Sequence, residues 1–219
     1  MDMIMQSKKF FDDLIAGKEL SSANIVLCFA ATSGCVNRMK ELEKSIKVGL
    51  EQKIVTEKEF YEALLQIYLF AGFPAAIESL AVLGTITHAK EDTDSIETYN
   101  VEKFSERGEF LCKIIYTSVY DKMRSRLGRL SPELDEWMIV EGYGKTLSRD
   151  GLTPKTRELI TASSLIALGW ENQLFSHVRG AIAVGATKRE CNELLEVVRT
   201  LCSTEQIERS KIVLERALN

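Results

Sequence analysis

The chain has 219 residues, 45% of them hydrophobic, which is enough to bury a sizeable core without disulfide or metal staples. A formal net charge of -4 supplies no basic field for phosphates, and no aromatic residues are interleaved with Lys and Arg as a base-stacking platform needs; both argue against nucleic acid as a partner. Three prolines and 13 glycines are few for this length, while Ala, Leu, Glu, Lys and Ile are plentiful, so an all-α fold is expected.

In chain order, the opening MDMIMQSKKF lacks a basic stretch followed by a long apolar one, and no later run approaches the ~20 apolar residues of a membrane span. A cytoplasmic protein with no membrane partner is the expectation. SIKVG, ending at Gly49, predicts a helix stopped by that glycine. TEKEFYEALLQI (Thr56 to Ile67) opens on a Thr-x-x-Glu capping box, and YLFAGFPAA (Tyr68 to Ala76) ends one helix at Gly72 and starts another at Pro74. KEDTDSIETYN (Lys90 to Asn100) is polar and reads as a loop, after which Gly108 to Leu127 has helical spacing and is expected to bridge the parts on either side.

Two further helix starts are marked by Ser131 before Pro132 and by Thr153 before Pro154. The second leads through KTRELITASSLIALG to a stop at Gly169, and the next helix carries His177. TKRECNELLEVV (Thr187 to Val198) repeats the Thr56 capping box, and AIAVG ending at Gly185 matches SIKVG, which places Glu41 opposite His177. The chain therefore divides into a degenerate first copy at 1–89 that lacks the histidine, a linker with bridging helices at 90–147, and a second copy at 148–219.

If the helices holding Glu158 and His177 fold back as an αα-hairpin, carboxylate and imidazole come within reach of each other. Such a partner fixes the orientation and tautomer of an imidazole that acts as general acid or base. On periodicity alone, a hydrogen-bonded core or surface histidine is the simpler alternative. His88 reads as an exposed residue at a helix end. The two histidines are far apart and the five cysteines form no CxxC pair, so no metal site and no disulfide framework is expected.

Residues 148–198 resemble the carboxymuconolactone decarboxylase family through Arg149, Gly151, Leu152, Arg157, Glu158, Leu159, His177, Ala181, Gly185, Thr187 and Glu190. The family's closing Tyr-x-Gly-x-Pro-Ala segment occurs here only after the first copy, with Tyr68, Phe73 and Pro74, and with one extra residue before the glycine. Relatives of the alkyl hydroperoxidase D type place two cysteines where this chain has Trp170 and Gln173, so a thiol peroxidase lacks its nucleophile here. A relic redox role for Cys28 and Cys35 is the one thiol alternative.

The resemblance implies an all-α bundle of duplicated helical hairpins of the alkyl hydroperoxidase D-like type, assembling as a homo-oligomer, a trimer or hexamer. It implies a carboxy-lyase-like enzyme that needs no cofactor and acts on a small carboxylated lactone or ring compound. His177 is then the proton donor and Glu158 its orienting partner. Arg149 and Arg157 are the cations for substrate carboxylates, and Trp170, Gln173, Tyr68, Phe73 and Pro74 line the pocket. The alternatives are an antioxidant protein of the alkyl hydroperoxidase D type and a non-catalytic helical oligomer.

Overall fold

The computed structural model describes residues 3–88 and 97–219, and every regular element among them is helical. They fall in two compact units, one of Met1–His88 with Gly151–Asn219 and one of Ala89–Asp150. The predicted loop at Lys90 to Asn100 lies outside the described residues up to position 96.

In the larger unit the helices are α1 (Met3–Ile15), α2 (Ser22–Cys35), α3 (Met39–Glu51), α4 (Glu57–Gln66) and α5 (Tyr68–Thr87). The second, smaller unit supplies α6 (Val101–Tyr116), α7 (Tyr120–Leu130) and α8 (Pro132–Trp137). The larger unit then resumes with α9 (Pro154–Leu168), α10 (Glu171–Ala183), α11 (Lys188–Val197) and α12 (Thr204–Leu218).

At the centre of the larger unit α2 packs on α9. Both are buried along most of their length, from Asn24 to Gly34 and from Arg157 to Ala167, which is why neither shows the one-sided polarity of a surface helix. Thr32 Oγ1 donates to Ser163 Oγ across this contact at 3.1 Å. Helices α3 and α10 fold back on α2 and α9 respectively, and α12 covers α10.

The helix starts follow local chemistry closely. Ser21, Thr153 and Ser131 cap their helices through side-chain oxygens, and the Thr56–Glu59 and Thr187–Glu190 boxes are both closed. Gly169 and Gly185 take the left-handed conformation of a helix stop, with φ of 75° and 96°. His88, exposed, ends α5 in the same conformation.

Gly49 departs from its expected role. It lies inside α3, where a Cβ would come within 2.7 Å of Phe60 Cζ, so it makes room for a ring and does not end the helix. The left-handed residue after α3 is Lys53, at φ 55°. The N-caps Ser21 and Thr153, the left-handed Asn37 and Gly169, and the left-handed Lys53 and Gly185 all stand in one register. That register sets Ser45, and not Glu41, opposite His177, and Val26 opposite Glu158.

Helix α5 corrects a second expectation: by length and composition it is apolar enough to cross a membrane. It is not straight, however, because Gly72 leaves helical geometry at φ 82° and ψ 169° with Pro74 two residues on. The part beyond the kink, 73–87, extends about 22 Å at roughly 1.5 Å per residue, short of a hydrocarbon core of about 30 Å. Helix α5 packs against α2, α3, α4 and α9.

In the smaller unit, the single helix expected from Gly108 to Leu127 is broken at Thr117, whose φ is 49°. Residues Met138–Leu147 continue α8 as a π-helix and lie against α6. Gly108 and Gly144 let the two backbones touch: a Cβ on Gly108 would strike the Ile139 carbonyl, and one on Gly144 the Phe104 carbonyl.

Candidate active site

The central helix α9 carries Glu158 one turn from its capped start, and α10 folds back so that His177 faces it. His177 Nδ1 lies 2.8 Å from Glu158 Oε2, with side-chain exposures of 9% and 1%. An ionised carboxylate only accepts, so Nδ1 is the donor and Nε2 is left as the ring nitrogen open to exchange a proton. The Phe70 ring meets the imidazole edge-on, with centroids 5.5 Å apart and planes at 89°. The second carboxylate oxygen, Glu158 Oε1, is buried with no hydrogen-bond partner. A buried acceptor left bare in this way costs on the order of 1–3 kcal/mol, and is a place for an incoming donor.

Phe70 belongs to the turn that the sequence singled out, but it is not one of the residues chosen there. Tyr68 stacks on Phe73 at 5.2 Å, and Phe73 and Pro74 are exposed. The kink at Gly72 separates Phe73 and Pro74 from Phe70, which is the residue that reaches the histidine. Its signal was its place between Tyr68 and Gly72, within a segment whose backbone has to bend.

Of the two arginines expected to bind substrate, Arg157 is 1% exposed and already committed. Its Nη2 donates to Glu62 Oε2 at 2.9 Å and its Nη1 to Gln66 Oε1 at 3.1 Å, while Gln66 Nε2 returns a bond to the Arg157 carbonyl at 3.2 Å. The guanidinium thus ties α4 to α9 and neutralises a carboxylate that is itself buried. Arg149, half-buried, belongs to the smaller unit, just beyond the π-helix, where its backbone N–H donates to the Thr146 carbonyl. Trp170, 58% exposed, stands at the N-cap of α10, and Gln173, also exposed, is one turn before His177 on the same helix.

Four of the thiols, Cys28, Cys35, Cys191 and Cys202, are held by burial in the protonated form, which is a poor nucleophile. Burial pushes Cys28 up to about 12 and Cys35 up to about 11, each only partly offset by a serine hydroxyl, Ser163 or Ser164. Both lie on α2 seven residues apart, which separates them by about 10 Å along the helix, beyond the ~7 Å reach of a disulfide. Burial likewise raises Cys191 to about 12 and Cys202 to about 11. Among the described residues, no three His, Cys, Asp or Glu side chains gather as a metal site.

Comparison with known proteins bears on this geometry. Residues 132–216, which contain both Glu158 and His177, match the model of the carboxymuconolactone decarboxylase family. An uncharacterized 15.0 kDa protein in the nqo9–nqo10 intergenic region of Paracoccus denitrificans is 42% identical over 69 residues, covering 31% of this chain and 52% of that protein. The 4-carboxymuconolactone decarboxylase of Acinetobacter baylyi is 43% identical over 94 residues, 43% of this chain and 70% of that enzyme. The chain thus spans about half the length of the first relative and over two thirds of the second.

Proposed function

This chain belongs to the carboxymuconolactone decarboxylase family, and on that premise we propose that it is a carboxy-lyase acting by acid/base chemistry on a small carboxylated lactone. The observation that carries this reading is the 2.8 Å contact between His177 Nδ1 and Glu158 Oε2 inside the matched segment. In the reaction the bond to the departing carboxylate breaks, its electron pair passes into the conjugated ring carbonyl, and carbon dioxide leaves. His177 acts as the imidazolium: with Nδ1–H on Glu158, its Nε2–H delivers a proton to the carbanion carbon, the ring is left neutral with Nε2 bare, and solvent reprotonates Nε2 for the next turnover. Glu158 accepts from Nδ1–H throughout, which fixes the ring with Nε2 as the exchanging nitrogen and stabilises the protonated ring, and its bare Oε1 is the acceptor for a donor on the substrate or on a water that comes with it.

Phe70 forms one side wall of the imidazole. Because Arg157 is held by Glu62 and Gln66, it serves the frame that carries Glu158 and leaves the substrate's carboxylates to other groups. Phe73 and Ile77, 69% and 60% exposed one turn apart on α5, favour assembly of several copies, which sedimentation at micromolar concentration tests; a monomer there removes this part of the reading.

The reading is tested by incubating the purified chain with 4-carboxymuconolactone and a panel of related lactone and 3-oxo acids, following carbon dioxide release. Turnover of at least one lactone acid is expected. Release no faster than the uncatalysed rate across the panel overturns it.

A further inference from the structure

A cavity formed where α1 crosses α2 and α3 has no part in the proposed reaction. It has a volume of about 280 Å³ and is lined by Phe10, Phe11, Phe29, Glu41 and Lys44, with Gln6, Ser7 and Thr200 completing it. Three phenyl rings make its apolar wall, each edge-to-face with the other two at centroid distances of 5.2 to 5.5 Å. Phe11 and Phe29 are 1% and 3% exposed, so this wall is fixed by the core, while Phe10 at 36% is its open edge. An engineered cavity of roughly 150 Å³ holds benzene, so the space here suits an aromatic ring bearing a short substituent.

The polar side is unusual in carrying both signs of charge. Glu41, half-buried, and Lys44, exposed, are three residues apart on α3, on one side of that helix. Among the described residues neither enters an ion pair, although Glu43 and Lys47 on the same helix do pair, at 2.5 Å. An aryl carboxylate would meet Lys44 but be repelled by Glu41, and an aryl amine would have the reverse difficulty. A head group that carries both charges complements both side chains at once.

We propose that this cavity binds an aromatic α-amino acid, its ring against Phe10, Phe11 and Phe29, its ammonium on Glu41 and its carboxylate on Lys44. Ring edges and faces in the wall suit an added aromatic better than an aliphatic chain of equal volume. Charge-assisted contacts at the partly desolvated rim fix its orientation. The assignment does not depend on the His177 chemistry.

The test titrates the full chain with L-phenylalanine, phenylacetate, phenethylamine and toluene by calorimetry, with chemical-shift mapping to locate each. L-phenylalanine is expected to bind at α1 and α3 at least about tenfold tighter than the other three. Glu41→Gln and Lys44→Gln are each expected to weaken it about tenfold, the first improving phenylacetate and the second phenethylamine. Both variants are expected to keep the parent melting temperature, and Phe10→Ala, at the open edge, to weaken all four ligands together. Absence of L-phenylalanine binding, toluene binding equally well, or rim variants that leave its affinity unchanged overturns the proposal.

Discussion

Replacing Glu62 by Leu removes the carboxylate that neutralises Arg157 while keeping an apolar side chain of similar bulk. The two partners are 2% and 1% exposed, and Gln66, which also accepts from the guanidinium, is neutral. Breaking a buried pair from one side typically costs about 3–5 kcal/mol, because the surviving charge is left in a medium that cannot solvate it. At roughly 2–4 °C per kcal/mol for a chain of this size, the melting temperature should fall by about 6–20 °C. An internal control is Glu205→Leu, whose partner Arg209 lies 3.4 Å away with exposures of 78% and 62%, where the loss should stay below about 1 kcal/mol. The double variant Glu62→Leu/Arg157→Leu should recover most of the loss, since a buried pair is close in energy to well-packed hydrocarbon. Circular dichroism melts of all four proteins make the comparison. Equal shifts for Glu62→Leu and Glu205→Leu refute the assignment of Arg157 to the frame.

Three other outcomes follow from the same packing. With Cys28 and Cys191 raised to about 12, and Cys35 and Cys202 to about 11, these thiols should stay almost wholly protonated at pH 8. Ellman's reagent should therefore label them slowly until denaturant is added, and a fast-reacting site among them contradicts the burial. Gly144→Ala should destabilise the chain by about 1–3 kcal/mol through its collision with the Phe104 carbonyl. Gly142→Ala, two residues away with nothing within 4 Å of the new Cβ, should be neutral or stabilising by up to about 1 kcal/mol, and identical urea midpoints for the two would refute the close packing on α6. Lys53→Gly should raise stability by up to about 1 kcal/mol by relieving a left-handed residue at φ 55°, and a lowered midpoint would count against that strain.

What could be read from the sequence was mostly local. Capping boxes, proline-led starts and the stops at Gly169 and Gly185 depend on residues within one turn of each other, and they fall where expected. The pairing of Glu158 with His177 was legible because a short αα-hairpin leaves two adjacent helices few ways to pack. Positions governed by other helices were not. Gly49 looks like a stop until Phe60 of α4 is set against it, and the alignment that followed from this chose Glu41 over Ser45. Arg157 looks like a substrate cation until Glu62 and Gln66, nearly a hundred positions away, reach it. The π-helix at Met138–Leu147 has no short motif at all, and Phe70 was passed over because turn chemistry drew attention to Gly72 and Pro74.

The measurement closest to the central claim is the decarboxylation rate of 4-carboxymuconolactone by the parent, His177→Ala and Glu158→Gln, with all three shown to be folded. Loss of a positioned general acid should slow His177→Ala by about 10²–10⁴-fold. Glu158→Gln, which keeps an acceptor but lets the ring change tautomer, should be slowed to a lesser extent. Turnover by His177→Ala at the parent rate would contradict the account.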